Sequence, residues 1–446
     1  MADARGVAGA LRSGRLRERR PPAGRGAQLG TPQSLGHFRA FGRRSGPDPR
    51  GIFRSHKDTP RVSFGAGDER GGLSGHPLRV LFVVQGEGRG HLTQAITLRE
   101  RLNERGHEVC GVFVGGDPDA TLPKFFAHRI GIEPLRFTSP GTVVGRSGRG
   151  VSVLRTVTGN VLALPAFTRS VRELRDGTAL LRPDLVVNFY DSVAGLALGK
   201  SAQGRPPMVA VAHQYLIDHP EAPALPGSPI DGAILRLLNR LSAPAQTLRL
   251  ALSFRNLPGG SEARRKVVPP LLRRAVVDAI PEKGDHLLAY ILHAGFADQI
   301  RAWHERNRHV VIHCFWNRQG AAEREEAHAN LVFHRLSDTL FLEKMRTCRG
   351  FVGTAGFESV AEALWLGKPV MVVPTGRHAE QAWNARETEA AGAGIASNDF
   401  DLDPFLEYLP GHQAPTERYR AWIRGGSERM LDLLEGAGRA ARRARA

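Results

Sequence analysis

The chain has 446 residues, 41% of them hydrophobic and 24% charged, with a formal net charge of +18. At roughly 100–200 residues per domain this predicts two or three folded units, and the mix excludes a collagen-like or wholly disordered chain. No apolar run reaches the roughly 18–20 residues of a membrane-spanning helix, and Cys110, Cys314 and Cys348 form no CxxC pair, so an integral membrane protein, a zinc ribbon and a disulfide scaffold are excluded and a reducing, cytoplasmic setting is expected.

Residues 1–77 hold 15 Lys and Arg against 6 Asp and Glu, and the tail 439–446 adds four arginines. The sequence between them is only mildly basic. The 1–77 segment is rich in Gly, Pro, Arg and Ser without apolar periodicity, which predicts a disordered basic extension. Four readings stay open for it: an arm for anionic surfaces, an organelle transit peptide, an inert tail, and an upstream extension from a misplaced start codon in GC-rich sequence.

Regular structure is expected from Leu78. Arg79–Val84 is an apolar, β-branched run that reads as a buried parallel strand. The turn Gln85-Gly86-Glu87-Gly88-Arg89-Gly90-His91 follows. Leu92, Ala95, Ile96, Leu98 and Leu102 then recur at helical spacing up to Arg105-Gly106, a stop signal. Val109–Val114 is the next strand, completing the opening of a doubly wound domain. The alternation resumes with a strand at Asp184–Phe189, a small-residue helix at Val193–Lys200 and a strand at Met208–Ala212. Residues 233–254 read as a helix, then a strand from Leu250. Paired Gly and Pro in 256–270 suggest a linker. From His286 a second series begins, with strands at 287–292, 310–315, 330–334, 350–353 and 370–373. Helices are expected at 296–304, 337–347, 357–366, 380–391 and 417–434. The expected organisation is an extension over 1–77, a first Rossmann-like domain over 78–258, a linker over 259–272 and a second Rossmann-like domain over 273–414. A terminal helix over 415–438 packs back on the first domain, and a basic tail occupies 439–446.

Two motifs carry chemistry. In the first, Gly86, Gly88 and Gly90 allow a tight turn and close ligand approach, and the helix behind them favours electron-rich groups. The spacing is not that of a dinucleotide fingerprint. His91, at the helix start, is placed to take a proton from a hydroxyl; a purely structural histidine is the alternative. The second motif is longer: Gly353-Thr354-Ala355-Gly356-Phe357-Glu358, then Glu362, Gly367-Lys368-Pro369, Pro374, and Glu380-Gln381 with Asn384-Ala385. A strand runs into a Thr-Ala-Gly turn that opens a helix, so free N–H groups point at a phosphate site. Glu362 is suited to a ribose diol, and Glu380 and Gln381 to sugar hydroxyls.

These motifs resemble the nucleotide-sugar glycosyltransferases of the two-Rossmann (GT-B) fold. The nearest branches are the bacterial enzyme that adds N-acetylglucosamine to the lipid-linked peptidoglycan precursor, and the family 1 UDP-glycosyltransferases. The resemblance spans about residues 79–438 and is strongest at 79–107 and 350–394. It implies an α/β chain of two Rossmann-like doubly wound domains facing a cleft. The backbones of Gly356, Phe357 and Glu358, in the turn begun by Thr354 and Ala355, would hold the donor pyrophosphate. Glu362 would bind the ribose, and Glu380 and Gln381 the sugar. Gly86, Gly88, Arg89 and Gly90 would shape the acceptor side, with His91 the base and Asp191 its acidic partner. Where plant-type relatives have His-x-Gly, this chain has Thr354-Ala355-Gly356, so a histidine contact to phosphate is lacking. His293 replaces part of a usual Gly-Gly-Ser and is a candidate donor contact.

The resemblance implies transfer of a hexose from a nucleoside diphosphate sugar, with uridine the expected base, to a hydroxyl acceptor of cell-envelope glycan or glycolipid type. The nucleotide sugar is a co-substrate, and no cofactor is expected. No Asp-x-Asp pair is expected at a strand end, hence no essential metal, and attack from the opposite face predicts inversion. The apolar, cationic segment Ile234–Leu241 with Leu248-Arg249-Leu250 suggests peripheral contact with the inner face of a membrane and a lipid-linked acceptor; a core helix with snorkelling arginines is the plainer reading. No specific nucleic-acid partner is expected. Two other functions remain open, a nucleotide-sugar epimerase on the same fold and a non-catalytic anion-binding protein acting through the basic arm.

Overall fold

The structure, a computed structural model, describes residues 76–141, 163–199, 205–258, 264–292, 295–318, 320–376 and 378–445. The expected extension lies outside these residues apart from His76 and Pro77, as does His293.

The first sheet contains β1 (Arg79–Gln85), β2 (Glu108–Gly116), β3 (Leu135–Thr138), β4 (Leu185–Phe189), β5 (Met208–Ala212), β6 (Leu248–Leu252) and β7 (Arg265–Val268). All seven are parallel, in the order β3-β2-β1-β4-β5-β6-β7. A parallel sheet is covered on both faces, so its central strands must be apolar throughout; Val80, Leu81, Phe82, Val83 and Val84 are all fully buried. The crossovers are α1 (Gly90–Glu104), α2 (Lys124–Ile130), α3 (Leu164–Leu181), α4 (Ser192–Leu198) and α5 (Pro229–Ser242). Helix α1 buries Leu92, Ala95, Ile96, Leu98 and Leu102 on one stripe, the face its spacing predicts.

The second sheet contains β8 (Leu287–Ile291), β9 (Ile312–Trp316), β10 (Arg324–His328), β11 (Leu331–Arg335), β12 (Gly350–Gly353), β13 (Val370–Val372) and β14 (Gly394–Ala396). Its order is β10-β11-β9-β8-β12-β13-β14, with only the β10–β11 pair antiparallel. Its helices are α6 (Arg274–Val277), α7 (Gly295–Arg306), α8 (Asp338–Thr347), α9 (Phe357–Trp365), α10 (Ala379–Ala390) and α11 (Asp403–Tyr408). Both sheets reverse strand order next to their first strand, between β1 and β4 and between β8 and β12. These are the switch points where doubly wound sheets open a crevice at the carboxyl ends of the strands.

Helix α12 (Thr416–Arg445) closes the molecule. Early in the helix, the Tyr419 hydroxyl donates to the Ala361 carbonyl at 3.1 Å. Further on, Trp422 Nε1 donates to the Ser253 carbonyl at 2.9 Å. Arg105 binds Asp432 and Glu435, each at 2.8 Å, and Arg442 pairs with Asp184. A Cβ on Gly426 would lie 2.5 Å from Pro269 Cδ, so only glycine permits this approach.

Three expectations are corrected. The 259–272 linker is not continuous: Arg265–Val268 forms β7, the edge of the first sheet, because Val267 and Val268 extend a strand that flanking Gly and Pro pairs disguise. The 439–446 tail is not separate, since α12 continues to Arg445. An Asp-x-Asp does follow a strand: Asp117-Pro118-Asp119 comes directly after β2, with Asp117 Oδ1 accepting from the Asp119 N–H at 3.0 Å.

Candidate active site

The glycine turn leaves β1 under tight constraint. A Cβ on Gly86 would collide with the Gly115 carbonyl, and Gly88 has φ +76°, a region that favours glycine. At Gly90, α1 meets α9 at ordinary packing distance, since a Cβ there would lie 3.5 Å from Glu358 Cγ. The turn is bonded across the cleft: Arg89 pairs with Asp338 at 2.5 Å and lies over the Phe125 ring at 4.0 Å.

His91 opens α1 with its ring stacked on Tyr190, centroids 5.7 Å apart and planes at 28°. Its Nδ1 lies 3.3 Å from Gln94 Oε1. Burial lowers its pKa below the ordinary value, against the Glu380 carboxylate and the Gln94 contact. The ring is therefore neutral at physiological pH, as a base must be. Tyr190 has φ +64°, an uncommon conformation for a bulky residue, and its hydroxyl donates to Asn239 Oδ1 at 2.8 Å. Burial and Glu380 push the phenol well above 10, so Tyr190 supports the ring and does not act as a base.

Asp191 is not the partner of His91, which corrects the expectation. It is fully buried and caps α4, accepting from the Ala194 N–H at 2.8 Å and from the Ser139 hydroxyl at 2.5 Å. A carboxylate that follows a strand and precedes a helix is drawn to the free N–H groups of the first turn.

On the opposite side, β12 runs into Thr354 and Ala355, and Gly356 is the N-cap of α9 with no side-chain cap. The first-turn N–H groups thus have no side-chain acceptor, the arrangement that binds anions. The Thr354 hydroxyl is buried and makes no hydrogen bond to the described residues. Phe357 is packed by His213, centroids 4.0 Å apart, and by Phe254 at 4.5 Å. His213 in turn meets Trp383 of α10 at 4.6 Å. Glu358 accepts from Gln94 Nε2 at 2.6 Å. Gln381 Oε1 accepts from the Thr375 N–H at 2.8 Å, and Glu380 lies in the first turn of α10.

Glu362 is not presented as a free ribose carboxylate, a second correction. It is buried, and Arg273 binds both its oxygens, Nε at 2.6 Å and Nη2 at 2.7 Å. Glu358 one turn earlier would otherwise repel it, and Arg273 relieves both. Sequence reasoning missed Gln94, Tyr190, His213, Arg273 and Asp338. Only Gln94 carried a signal, three residues from His91 and hence on the same helical face. Among the described residues no three His, Cys, Asp or Glu side chains converge as a metal site.

Two Rossmann-like domains with facing strand ends and an uncapped helix N-terminus define the GT-B architecture. Residues 78–410 match the family described as glycosyl transferase family 1, and the chain belongs to that family. Its fold is shared by the glycotransferase of kitacinnamycin, at TM-score 0.55 and 18% identity over 81% of this chain and 99% of that one. It is shared too by the calicheamicin glycosyltransferase, at 0.50 and 16% over 81% and 98%. The glycosyltransferase VinC, solved in complex with dTDP, matches at 0.50 and 15% over 81% and 100%. No curated protein matches the chain in sequence.

Proposed function

We propose that the chain transfers a hexose from a nucleoside diphosphate sugar to a hydroxyl acceptor, with inversion and without a metal. The observation that carries this reading is the juxtaposition of a neutral His91 with the uncapped N-terminus of α9, joined through Gln94 and Glu358. The N–H groups of Phe357 and Glu358, joined by that of Gly356 once it leaves the Thr354 carbonyl it bonds in the structure, receive the pyrophosphate and stabilise the charge that develops as it leaves. Glu380 and Gln381 hold the sugar. His91 takes the acceptor proton as the hydroxyl attacks from the face opposite the leaving group. Gly86, Gly88, Arg89 and Gly90 shape the acceptor side. Ile230, Ile234 and Leu237 stand exposed along α5, beside Arg240, which supports a lipid-linked acceptor met at an anionic membrane face. No described helix is long and apolar enough to cross a membrane.

The test is thermal unfolding of the full chain with the diphosphates of uridine, thymidine, guanosine and adenosine. A bound nucleotide at about 100 times its Kd stabilises the fold by about 2.7 kcal/mol. We expect one nucleotide to do so, and Thr354→Val to weaken it several-fold without changing the unliganded midpoint. A folded chain indifferent to all four overturns the donor reading.

A further inference from the structure

We propose that Gln94 and Glu358 form a positioning relay that sets the tautomer of His91 and ties it to the donor-side helix. This rests on His91 being the base. The usual place for an acidic partner is vacated, since Asp191 is spent on the α4 cap. Contact with the ring comes instead from an amide on the same face of α1. Gln94 is 3% exposed, and each end of its amide has its own partner. Nε2 donates to Glu358 Oε1 at 2.6 Å, and Oε1 faces His91 Nδ1 at 3.3 Å. An amide oxygen only accepts, so the proton must sit on Nδ1. The lone pair is then on Nε2, the state that accepts a proton. The reversed amide would present its NH₂ to Nδ1 and demand a proton on Nε2, which disables the base. Glu358 chooses between the two orientations.

The relay spans both domains. Gln94 belongs to α1 and Glu358 to α9, and the two side chains meet where the start of α1 packs on the first turn of α9. The base is therefore oriented only when the two halves of the site are together. Tyr190 fixes the ring plane and Gln94 the ring's protonation pattern.

The charged and titratable neighbours of the relay are Arg273, Glu362 and Tyr419 around Glu358, and Glu380 and Tyr190 around His91. Burial raises the Glu358 carboxyl to about 8. Above that pH it can only accept, and the amide is locked. Below it, the protonated acid can donate to Gln94 Oε1, which admits the reversed amide.

The experiment is ¹⁵N NMR of the histidine side chains in the full chain, with His91→Ala supplying the assignment, alongside steady-state transfer kinetics. At pH 9 we expect His91 with its proton on Nδ1, and a shift toward the Nε2–H form as pH falls through about 8. Gln94→Leu and Glu358→Leu are expected to show Nε2–H at pH 9, with kcat lowered about 10- to 100-fold, part of what general-base catalysis contributes, and donor KM changed less than about twofold. Glu358→Gln offers both a donor and an acceptor, as the protonated acid does, and is expected to hold the tautomer at the low-pH mixture with no response to pH, with kcat between those of the unaltered chain at pH 9 and Glu358→Leu. An Nε2–H tautomer in the unaltered chain at pH 9 overturns the relay without recourse to any variant. So does Gln94→Leu with unchanged kcat and tautomer while His91→Ala is inactive. If His91→Ala itself transfers sugar normally, the base assignment falls first and the relay with it.

Discussion

At Asp191 a single carboxylate shows how position in a fold decides a role. Burial raises its carboxyl to about 6, against the hydrogen bonds from Ser139, Ala194 and Val193. A raised acid favours folding while protonated. That contribution is complete below its unfolded value, about 4, and is lost as pH rises through 6. Asp191→Asn keeps an oxygen for the Ala194 N–H and carries no charge. Its stability relative to the parent is expected to grow from pH 5 to pH 8, reaching about 1–2 kcal/mol. Urea unfolding at the two pH values measures this, and a pH-independent difference would contradict it. His91 and the glycines before it were legible because a turn between a strand and a helix is a local property. Asp191 is its partner only by resemblance, because it follows a strand where relatives often place an acidic group. The Ser139 contact, 52 residues away, was invisible in the sequence.

At the scale of elements, α9 depends on the Arg273–Glu362 pair. Both side chains are buried, and breaking such a pair leaves an uncompensated charge costing about 3–5 kcal/mol, whereas apolar replacement of both is often neutral. Arg273→Met is therefore expected to destabilise by about that amount, and the double variant Arg273→Met/Glu362→Leu to regain most of it. Denaturant midpoints decide; equal losses in the single and double variants would show that the pair has no such role. Helices with a clear apolar stripe, such as α1 and α9, were legible from spacing. β3, α3, β10 and β14 were not anticipated. β10 reads Arg-Glu-Glu-Ala-His, an edge strand with no apolar face to betray it, and β3 and β14 are only four and three residues long.

Across the whole molecule, α12 joins the halves. Tyr419, Ile423, Met430, Leu431 and Leu434 are buried in one continuous core with Leu78 and Val80 of the first domain and Phe357 and Val360 of the second. Each such side chain contributes about 1.5–3 kcal/mol, so together they rival the 5–15 kcal/mol stability of an ordinary domain. A chain ending at Pro415 is expected to lose cooperative unfolding, followed by calorimetry. An unchanged transition would show that α12 is dispensable. The exposed apolar edge of α5 makes a separate prediction. The full chain should sediment with anionic vesicles, and Ile234→Ser/Leu237→Ser should release it; equal sedimentation of both would remove the support for a membrane-side acceptor.

The sequence by itself determined the α/β class, the two sheets, the glycine turn with His91 and the Thr354–Glu358 helix start. Each rests on periodicity or on turn chemistry among residues a few positions apart. Only the tertiary structure decided which groups meet. It paired Glu362 with Arg273, 89 residues away, gave Asp191 to a helix cap, and brought Gln94 to Glu358 across 264 residues. The physical reason is that a buried charge or amide must find a partner wherever packing puts one. Packing is set by the apposition of two sheets, which no local pattern in the chain records.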